Sequence, residues 1–538
     1  MQSPGRSQAG LGGAGAGAGA GAESDVVAIV GMGGVFPGAA SLTEFWHRVE
    51  SGQDACRAVP GGRWQFDPAQ ILSRVPGAAD AVFTARGCFI EGFTPDYAAL
   101  KLPHDVASTL DPAFHLLAAA GHGAFAQART TTLDRSRAGV IIGSIALPTA
   151  GSSALCDEVL TPLFEHKLLG RAQARHSLRT NPLNRYVTGM PAALLARSLG
   201  FGGASYGLDA ACASSLYAIK LACDELLERR ADMMLAGGLS RPDSLYTQMG
   251  FSQLRALSPS GRCSPFDVKG DGLIVGEGAG IVVLKRLDDA LRDGDNILAL
   301  IRGTGISNDI EGSLLSPSSE GQLRALHAAY AQAGWTPDMV DLIECHATGT
   351  PVGDAVEFES LARLWHGGEW RAGQCVLSAV KSNIGHLLTA AGSAGLIKTL
   401  LALQHDRLPP VANFEHPSAK VRLADSPFSI LQQSRPWERR AADLPRRAAI
   451  NGFGFGGINA HLLIEEWMPE LAASKRGRVA QPAVPAVESR SSKLPPEPVA
   501  VVGMAVRVGH WPDLAAFERR VLESEAEEHR ERASSGAA

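Results

Sequence analysis

Four side chains carry the chemistry this sequence offers. Cys212 stands in Asp209-Ala-Ala-Cys-Ala-Ser-Ser-Leu216, His346 in Ile343-Glu-Cys-His-Ala-Thr-Gly-Thr-Pro351, and Lys381 and His386 bracket Lys-Ser-Asn-Ile-Gly-His. A cysteine thiolate attacks an acyl carbonyl to give a thioester, which splits a difficult acyl transfer into two easier steps. Histidine holds or moves protons near neutral pH. Each residue also has a plain structural reading, since a free cysteine is commonly a small buried hydrophobe and a histidine a satisfied structural group. Together they read as a thiol nucleophile served by two histidines, with a lysine close by.

The elements that must position them are visible in the periodicity. Small residues, Gly202 to Gly207, precede Cys212, and Leu216, Ile219, Cys223, Leu226 and Leu227 follow at steps of three and four with Lys220, Asp224, Glu225 and Glu228 between them. That spacing predicts an amphipathic helix, with Cys212 at its N-terminus. Unpaired N–H groups and the positive end of the helix dipole there favour a thiolate over a thiol. His346 ends an apolar strand-like run, Val340 to Ile343, that breaks into a Thr/Gly/Pro loop. His386 follows a second such run, Val376 to Val380, and precedes an Ala/Gly/Leu-rich helical stretch, Leu387 to Leu403. Strands alternating with helices in this way predict an α/β fold.

These motifs resemble those of the β-ketoacyl synthases, the condensing enzymes of fatty acid and polyketide assembly. The matching segments are DAACASSL, ECHATGTPVGD, KSNIGHLLTAAG and NGFGFGGINAHLLIEE (Asn451 to Glu466), supported by LSPSGRCSPFD, GEGAGIVVLKRLDDALRDGD and LPPVANFEHPS, and they run in order from about residue 25 to 466. The resemblance implies a thiolase-like five-layered αβαβα fold of two duplicated halves, residues 25–290 and 291–466. It implies that Cys212 takes an acyl chain from the phosphopantetheine arm of an acyl carrier protein, with no cofactor bound. His346 and His386 would assist decarboxylation of a malonyl-type extender, and Lys381 would hold the site's hydrogen bonds and charge. Phe455, between Gly454 and Gly456, would gate the acyl pocket, and its N–H with that of Cys212 would hold the tetrahedral oxyanion. Glu357, Asp354 and Asn383 would support these groups from behind. One departure is Ala347, where the family has glycine after the first histidine; no positive φ is expected there. A thiolase-like acyltransferase or hydrolase and a non-catalytic chain-length factor are alternatives, the second disfavoured by the presence of Cys212.

Length, composition and charge set limits. The 538 residues are 45% hydrophobic and 20% charged, an ordinary globular composition. A formal net charge of −5 gives no electrostatic case for nucleic acid or an anionic membrane. The eight cysteines show no C-x-x-C spacing, Cys345 beside His346 lacks further ligands at zinc-like spacing, and no metal site is expected. Reduced thiols and the absence of a signal-peptide pattern or apolar span suit a soluble cytoplasmic protein. The family implies a dimer, either with itself or with a chain-length-factor-like domain.

Residues 1–24 read as a flexible Gly/Ala tail and 467–497 as a Pro/Ser/Ala-rich linker. Beyond it, Val499-Ala-Val-Val-Gly-Met504 repeats Val27-Ala-Ile-Val-Gly-Met32, and Leu514, Phe517, Arg520 and Val521 fall on Leu42, Phe45, Arg48 and Val49. Residues 498–538 are therefore expected to begin a second ketosynthase-like domain, reaching one strand and one helix, so that the chain reads as a fragment of a larger tandem protein; a tail docked on the first domain and a chance likeness of short apolar runs are the alternatives. Tandem condensing domains occur in polyunsaturated fatty acid synthases, where the second is a chain-length factor; modular polyketide and glycolipid-type synthases share most of these motifs.

Overall fold

The computed structural model describes residues 26–73, 75, 78–170, 178–311, 316–470, 498–509 and 511–522. The chain forms two units, residues 1–469 and 470–538. The Gly/Ala tail, most of the linker and everything after residue 522 lie outside the described residues.

In the first unit, eleven strands form one hydrogen-bonded sheet. They are β1 (Val27–Val35), β2 (Ala138–Ser144), β3 (Ser205–Leu208), β4 (Met233–Ser240), β5 (Gly278–Arg286), β6 (Ala299–Asn308), β7 (Leu342–Glu344), β8 (Cys375–Ser378), β9 (Phe428–Ile430), β10 (Arg447–Gly454) and β11 (Ile458–Glu465). Their spatial order is β9-β8-β7-β10-β11-β6-β1-β5-β4-β2-β3. The order contains the same motif twice. In the first half β1 pairs antiparallel with β5, β5 antiparallel with β4, and β4, β2 and β3 run parallel. In the second, β6 pairs antiparallel with β11, β11 antiparallel with β10, and β10, β7 and β8 run parallel. The halves meet where β1 pairs with β6, Val27 opposite Ile301.

Strand alternation explains the layers. Successive side chains point to opposite faces, and on β5 Val282 and Leu284 join one core while Ile281 and Val283 join another. Likewise Leu342 on β7 and Val376 on β8 face the first core, and Ile343 and Leu377 a third. The first core holds α5 (Ser214–Leu227) and α8 (Ala391–Gln404), through Leu216, Ile219, Ala222, Ile397 and Leu400. On the outer face of the first half lie α2 (Pro112–Phe125) and α4 (Met190–Leu199); on that of the second lie α6 (Ser319–Ala333) and α7 (Pro351–Leu364). Helix, sheet, helix, sheet and helix make the five layers expected. From Ala391 to Leu403 every residue of α8 is buried, which is why its sequence is mostly apolar rather than striped, with Ser393, Lys398 and Thr399 as buried exceptions.

Two more helices belong to the first unit. α1 (Leu42–Glu50) is capped by Ser41, whose Oγ accepts from Glu44 N at 3.1 Å, and it buries Phe45, Trp46 and Val49. α3 (Ala150–Leu169) buries Leu155 alone and leaves Phe164, Leu168 and Leu169 exposed.

In the second unit the repeat is realised only in part. α9 (Leu514–Leu522) forms, with Asp513 Oδ1 accepting from Ala516 N at 2.8 Å. The strand expected at 498–504 does not form: the segment has no regular structure and Val499 and Val502 are exposed. A strand needs a ladder. Its counterpart β1 is paired on both edges, whereas nothing among the described residues pairs with 498–504.

Candidate active site

The duplicated topology brings the chemistry to one place. In each half the third strand leads into the buried middle helix, and Cys212 and His386 occupy those two turns: Cys212 two residues before α5, His386 five before α8. His346 follows the second strand of the second half, β7, and reaches the same point. The Sγ of Cys212 and a ring nitrogen of each histidine lie within 4.8 Å of one another. The turn before Cys212 is tight, with Ala211 at φ +48°. Gly454 permits it, because a β carbon there would come to 3.0 Å from both Cys212 N and Ala211 Cβ.

Cys212 Sγ is 3.0 Å from His386 Nε2. Leu388 N–H donates to His386 Nδ1 at 3.2 Å, so the neutral ring carries its proton on Nε2 and donates toward sulfur. The His346 ring stands 5.4 Å from that of His386, nearly perpendicular to it. Burial, followed by the charge of Lys381, holds both histidines well below the usual imidazole range. They are therefore neutral hydrogen-bond donors. His346 Nδ1 has no hydrogen-bond partner among the described residues, so no protein contact fixes which of its nitrogens bears the proton.

The thiolate expected at the helix N-terminus is not the resting state. Burial pushes the Cys212 thiol up to about 11, against the pull of Lys381 and of the Phe455 and Cys212 N–H groups, which point at the sulfur. Desolvation opposes any isolated charge, and Cys212 is buried deeply enough for it to win. Those two N–H groups are the ones expected to hold an oxyanion.

Glu357 secures His346 by its backbone. Its Oε1 accepts from His346 N and its Oε2 from Ala347 N, both at 2.7 Å, and Asn451 Nδ2 donates to Oε1 at 2.8 Å. The expectation for Ala347 fails: its φ is +20°, at the edge of the left-handed region, because both consecutive N–H groups must turn toward one carboxylate. Asp354, lifted by burial to about 7, accepts from Phe266 N and Gly349 N and shapes the loop without touching the reacting atoms. Asn383 also stands apart from them, donating to Gln53 O at 2.9 Å. Lys381 is buried, and its charge acts on Cys212, His346 and His386.

The cavity above these groups has a volume of about 390 Å³ and is lined by Cys212, both histidines, Phe453 and Phe455. The Phe455 ring lies half-buried, 6.0 Å from Phe251, and Gly456 beside it has φ +84°. That volume suits an acyl chain or a thioester arm.

Sequence reading missed two buried polar sets. His461 Nδ1 meets Asn451 Oδ1 at 2.6 Å, so a His461–Asn451–Glu357 chain stands behind His346. Asn451 and His461 are directly opposed across β10 and β11, and two polar residues at mirror positions of an apolar hairpin were a readable signal. The buried Lys398–Glu344 pair, at 3.0 Å, links α8 to the end of β7 two residues before His346.

Comparison with known proteins identifies the family. Residues 24–290 match the β-ketoacyl synthase N-terminal domain and 298–415 its C-terminal domain. One of the phenolphthiocerol/phthiocerol polyketide synthase subunits of Mycobacterium tuberculosis is 36% identical over 468 residues, covering 84% of this chain and 28% of that protein. The chain thus spans little more than a quarter of that relative's length. Among solved structures, a PfaC keto synthase-chain length factor has a TM-score of 0.80 at 34% identity, covering 93% of this chain and 52% of its own. The ketosynthase from module 6 of the bacillaene synthase of Bacillus subtilis 168 has a TM-score of 0.71 at 30% identity, covering 83% of this chain and 73% of its own. With both family domains matched in order over a duplicated five-layer fold, the chain belongs to the β-ketoacyl synthases.

Proposed function

We propose that Cys212 carries the growing acyl chain and that His346 and His386 stabilise the enolate formed when a malonyl-type extender loses carbon dioxide. The observation that carries this reading is the meeting of Cys212 Sγ and the two histidines within 4.8 Å, beside a buried lysine. In the first step the Cys212 sulfur attacks an acyl thioester on the phosphopantetheine arm of a carrier protein. The tetrahedral oxyanion is received by the N–H groups of Cys212 and Phe455, and the carrier thiol leaves with the proton that Cys212 gives up. In the second, the extender's carboxylate departs as carbon dioxide, and its electron pair becomes an enolate whose oxygen accepts from the two imidazoles. Neutral rings serve better than imidazolium, which would protonate the carbanion. In the third, the carbanion attacks the Cys212 thioester, the carbon–carbon bond forms and the cysteine sulfur is released. Burial, aided by the charge of Lys381, keeps the histidines neutral, and Phe455 gates the acyl pocket.

The protein is read as pairing with a copy of itself or with a chain-length-factor-like domain. The apolar exposed face of α3 and the free edge of β3 support pairing. The larger share of this chain covered by the keto synthase-chain length factor structure, together with the repeat after residue 498, favours an iterative synthase of the polyunsaturated fatty acid or polyketide kind. Eight free thiols suit the cytoplasm. No helix among the described residues is long and apolar enough to cross a membrane.

The test is acylation from a radiolabelled acyl carrier protein, followed by malonyl carrier. Label on the wild type and not on Cys212→Ala, with ketoacyl product after malonyl addition, is expected. Label without product would indicate acyl transfer alone, and equal labelling of both proteins would remove Cys212 from its role.

A further inference from the structure

A second group of reactive side chains stands outside the cavity: Asp54, Cys56 and Cys88, whose ligand-type atoms lie within 4.8 Å of one another. Two short antiparallel strands produce it. Arg57 is opposite Gly87 and Ala58 opposite Arg86, and Val59 N donates to Ala85 O at 2.8 Å. Continued by one residue, that register sets Cys56 against Cys88. Hydrogen-bonded and non-bonded pairs alternate along such a ladder, and with Val59 and Ala85 bonded, Cys56 and Cys88 fall on a non-bonded pair, where Cα atoms approach to about 4.5 Å. A disulfide bridges Cα separations of roughly 4.4–6.8 Å. The two sulfurs can therefore join with little backbone movement.

Their surroundings differ in the way an oxidisable pair requires. Cys56 is half-buried on a cavity of about 480 Å³ whose lining includes Arg86, Arg262 and Asn413, whereas Cys88 is buried. A hydrogen bond with Cys88, aided by Arg86, holds the Cys56 thiol below its usual value, while burial pushes Cys88 well above. A metal is the poorer occupant. Asp54 Oδ1 already accepts from Cys56 N at 2.7 Å and Oδ2 from Asn413 Nδ2 at 2.9 Å, so the carboxylate is committed.

We propose that Cys56 and Cys88 form a hydroperoxide-sensitive dithiol that closes to a disulfide and thereby acts on the catalytic segment Lys381–His386. The Cys56 thiolate attacks one peroxide oxygen and the O–O bond breaks, giving a sulfenic acid and, after protonation, water. Cys88 sulfur then attacks Cys56 sulfur, the S–O bond breaks, and the thiol proton leaves with hydroxide as a second water. Two thiols are oxidised and one peroxide is reduced. The link to the site is direct. Ala55 N donates to Asn383 O at 2.7 Å, and Asn383 Nδ2 returns a bond to Gln53 O. Cys88 Sγ is 3.1 Å from where a β carbon on Gly385 would stand, so the sulfur rests against the residue before His386. Drawing it toward Cys56 opens that contact.

The test uses the full chain in the Cys212→Ala background, which removes the nucleophile as a competing thiol. After hydrogen peroxide, alkylation of remaining thiols and peptide mapping without reductant, a Cys56–Cys88 linked peptide is expected, lost on adding dithiothreitol and absent when Cys56→Ser is included. Cys56 ending as sulfinic acid, a bridge to Cys263 instead, or stoichiometric zinc protecting both thiols in untreated protein would overturn the proposal. With Cys212 intact, peroxide should slow condensation by about fivefold or more in the wild type relative to Cys56→Ser, reversibly with dithiothreitol. A mapped disulfide with equal rates in the two proteins would refute the link to the catalytic segment. The mapping does not depend on condensation, so its failure is distinct from failure of the proposed function.

Discussion

At the scale of single residues, burial governs the chemistry. Cys212 sits two residues before a helix, a position that favours the thiolate, yet its thiol is pushed up to about 11 because almost no water reaches it. For an acid with a raised pKa the neutral form persists to higher pH. Alkylation of Cys212 by iodoacetamide, followed by mass spectrometry at that site, should therefore rise about tenfold per pH unit from pH 6 to 9 without levelling. A plateau by pH 8 would show that the helix terminus outweighs burial. The meeting of Cys212 with His346 and His386 was legible in the sequence because their motifs are local. The raised thiol pKa was not, because it comes from burial by segments distant in sequence, against the pull of Lys381 and the Phe455 N–H. Nor was the positive φ of Ala347, which Glu357 imposes from ten residues downstream.

At the scale of elements, the positions of the reacting groups depend on a few buried polar ties. Lys398 on α8 and Glu344 at the end of β7 form an ion pair whose members are 1% and 2% exposed. Removing one charge leaves the other stranded in a dry interior, which costs about 3–5 kcal/mol, whereas removing both together costs far less. Lys398→Met should lower the unfolding free energy by that amount in a denaturant titration, and adding Glu344→Gln should restore most of it. If the single substitution has no effect, the pair is not held as the geometry describes. Apolar runs and small-residue turns revealed the strands around each motif in advance. The pairing of those strands was hidden, since key partners in the repeated order, β1 with β5, β6 with β11 and β10 with β7, lie more than a hundred residues apart. The repeat at 498–504 shows the converse. Its sequence matches β1, but sequence alone does not supply the neighbours that make a strand.

At the scale of the molecule, the exposed apolar side chains of α3 predict association. Phe164 is 58% and Leu168 76% exposed on a helix that buries little against its own unit. Phe164→Glu with Leu168→Glu should shift the protein from dimer to monomer in analytical ultracentrifugation at micromolar concentration while its far-ultraviolet circular dichroism stays unchanged. An unaltered sedimentation coefficient would exclude this face from the contact. Within the unit, the duplication has an electrical consequence. Helix α5 begins two residues after Cys212 and α8 five after His386, neither has a side-chain cap, and Ser393 N of α8 donates to Ser215 Oγ of α5 at 2.9 Å. The positive ends of two peptide stacks thus meet beside Cys212 and His386, where the proposed cycle places its thiolate, tetrahedral oxyanion and enolate. The backbone itself serves as a standing counter-charge for every anion of the cycle. It neither titrates nor diffuses away, and no single side-chain replacement removes it.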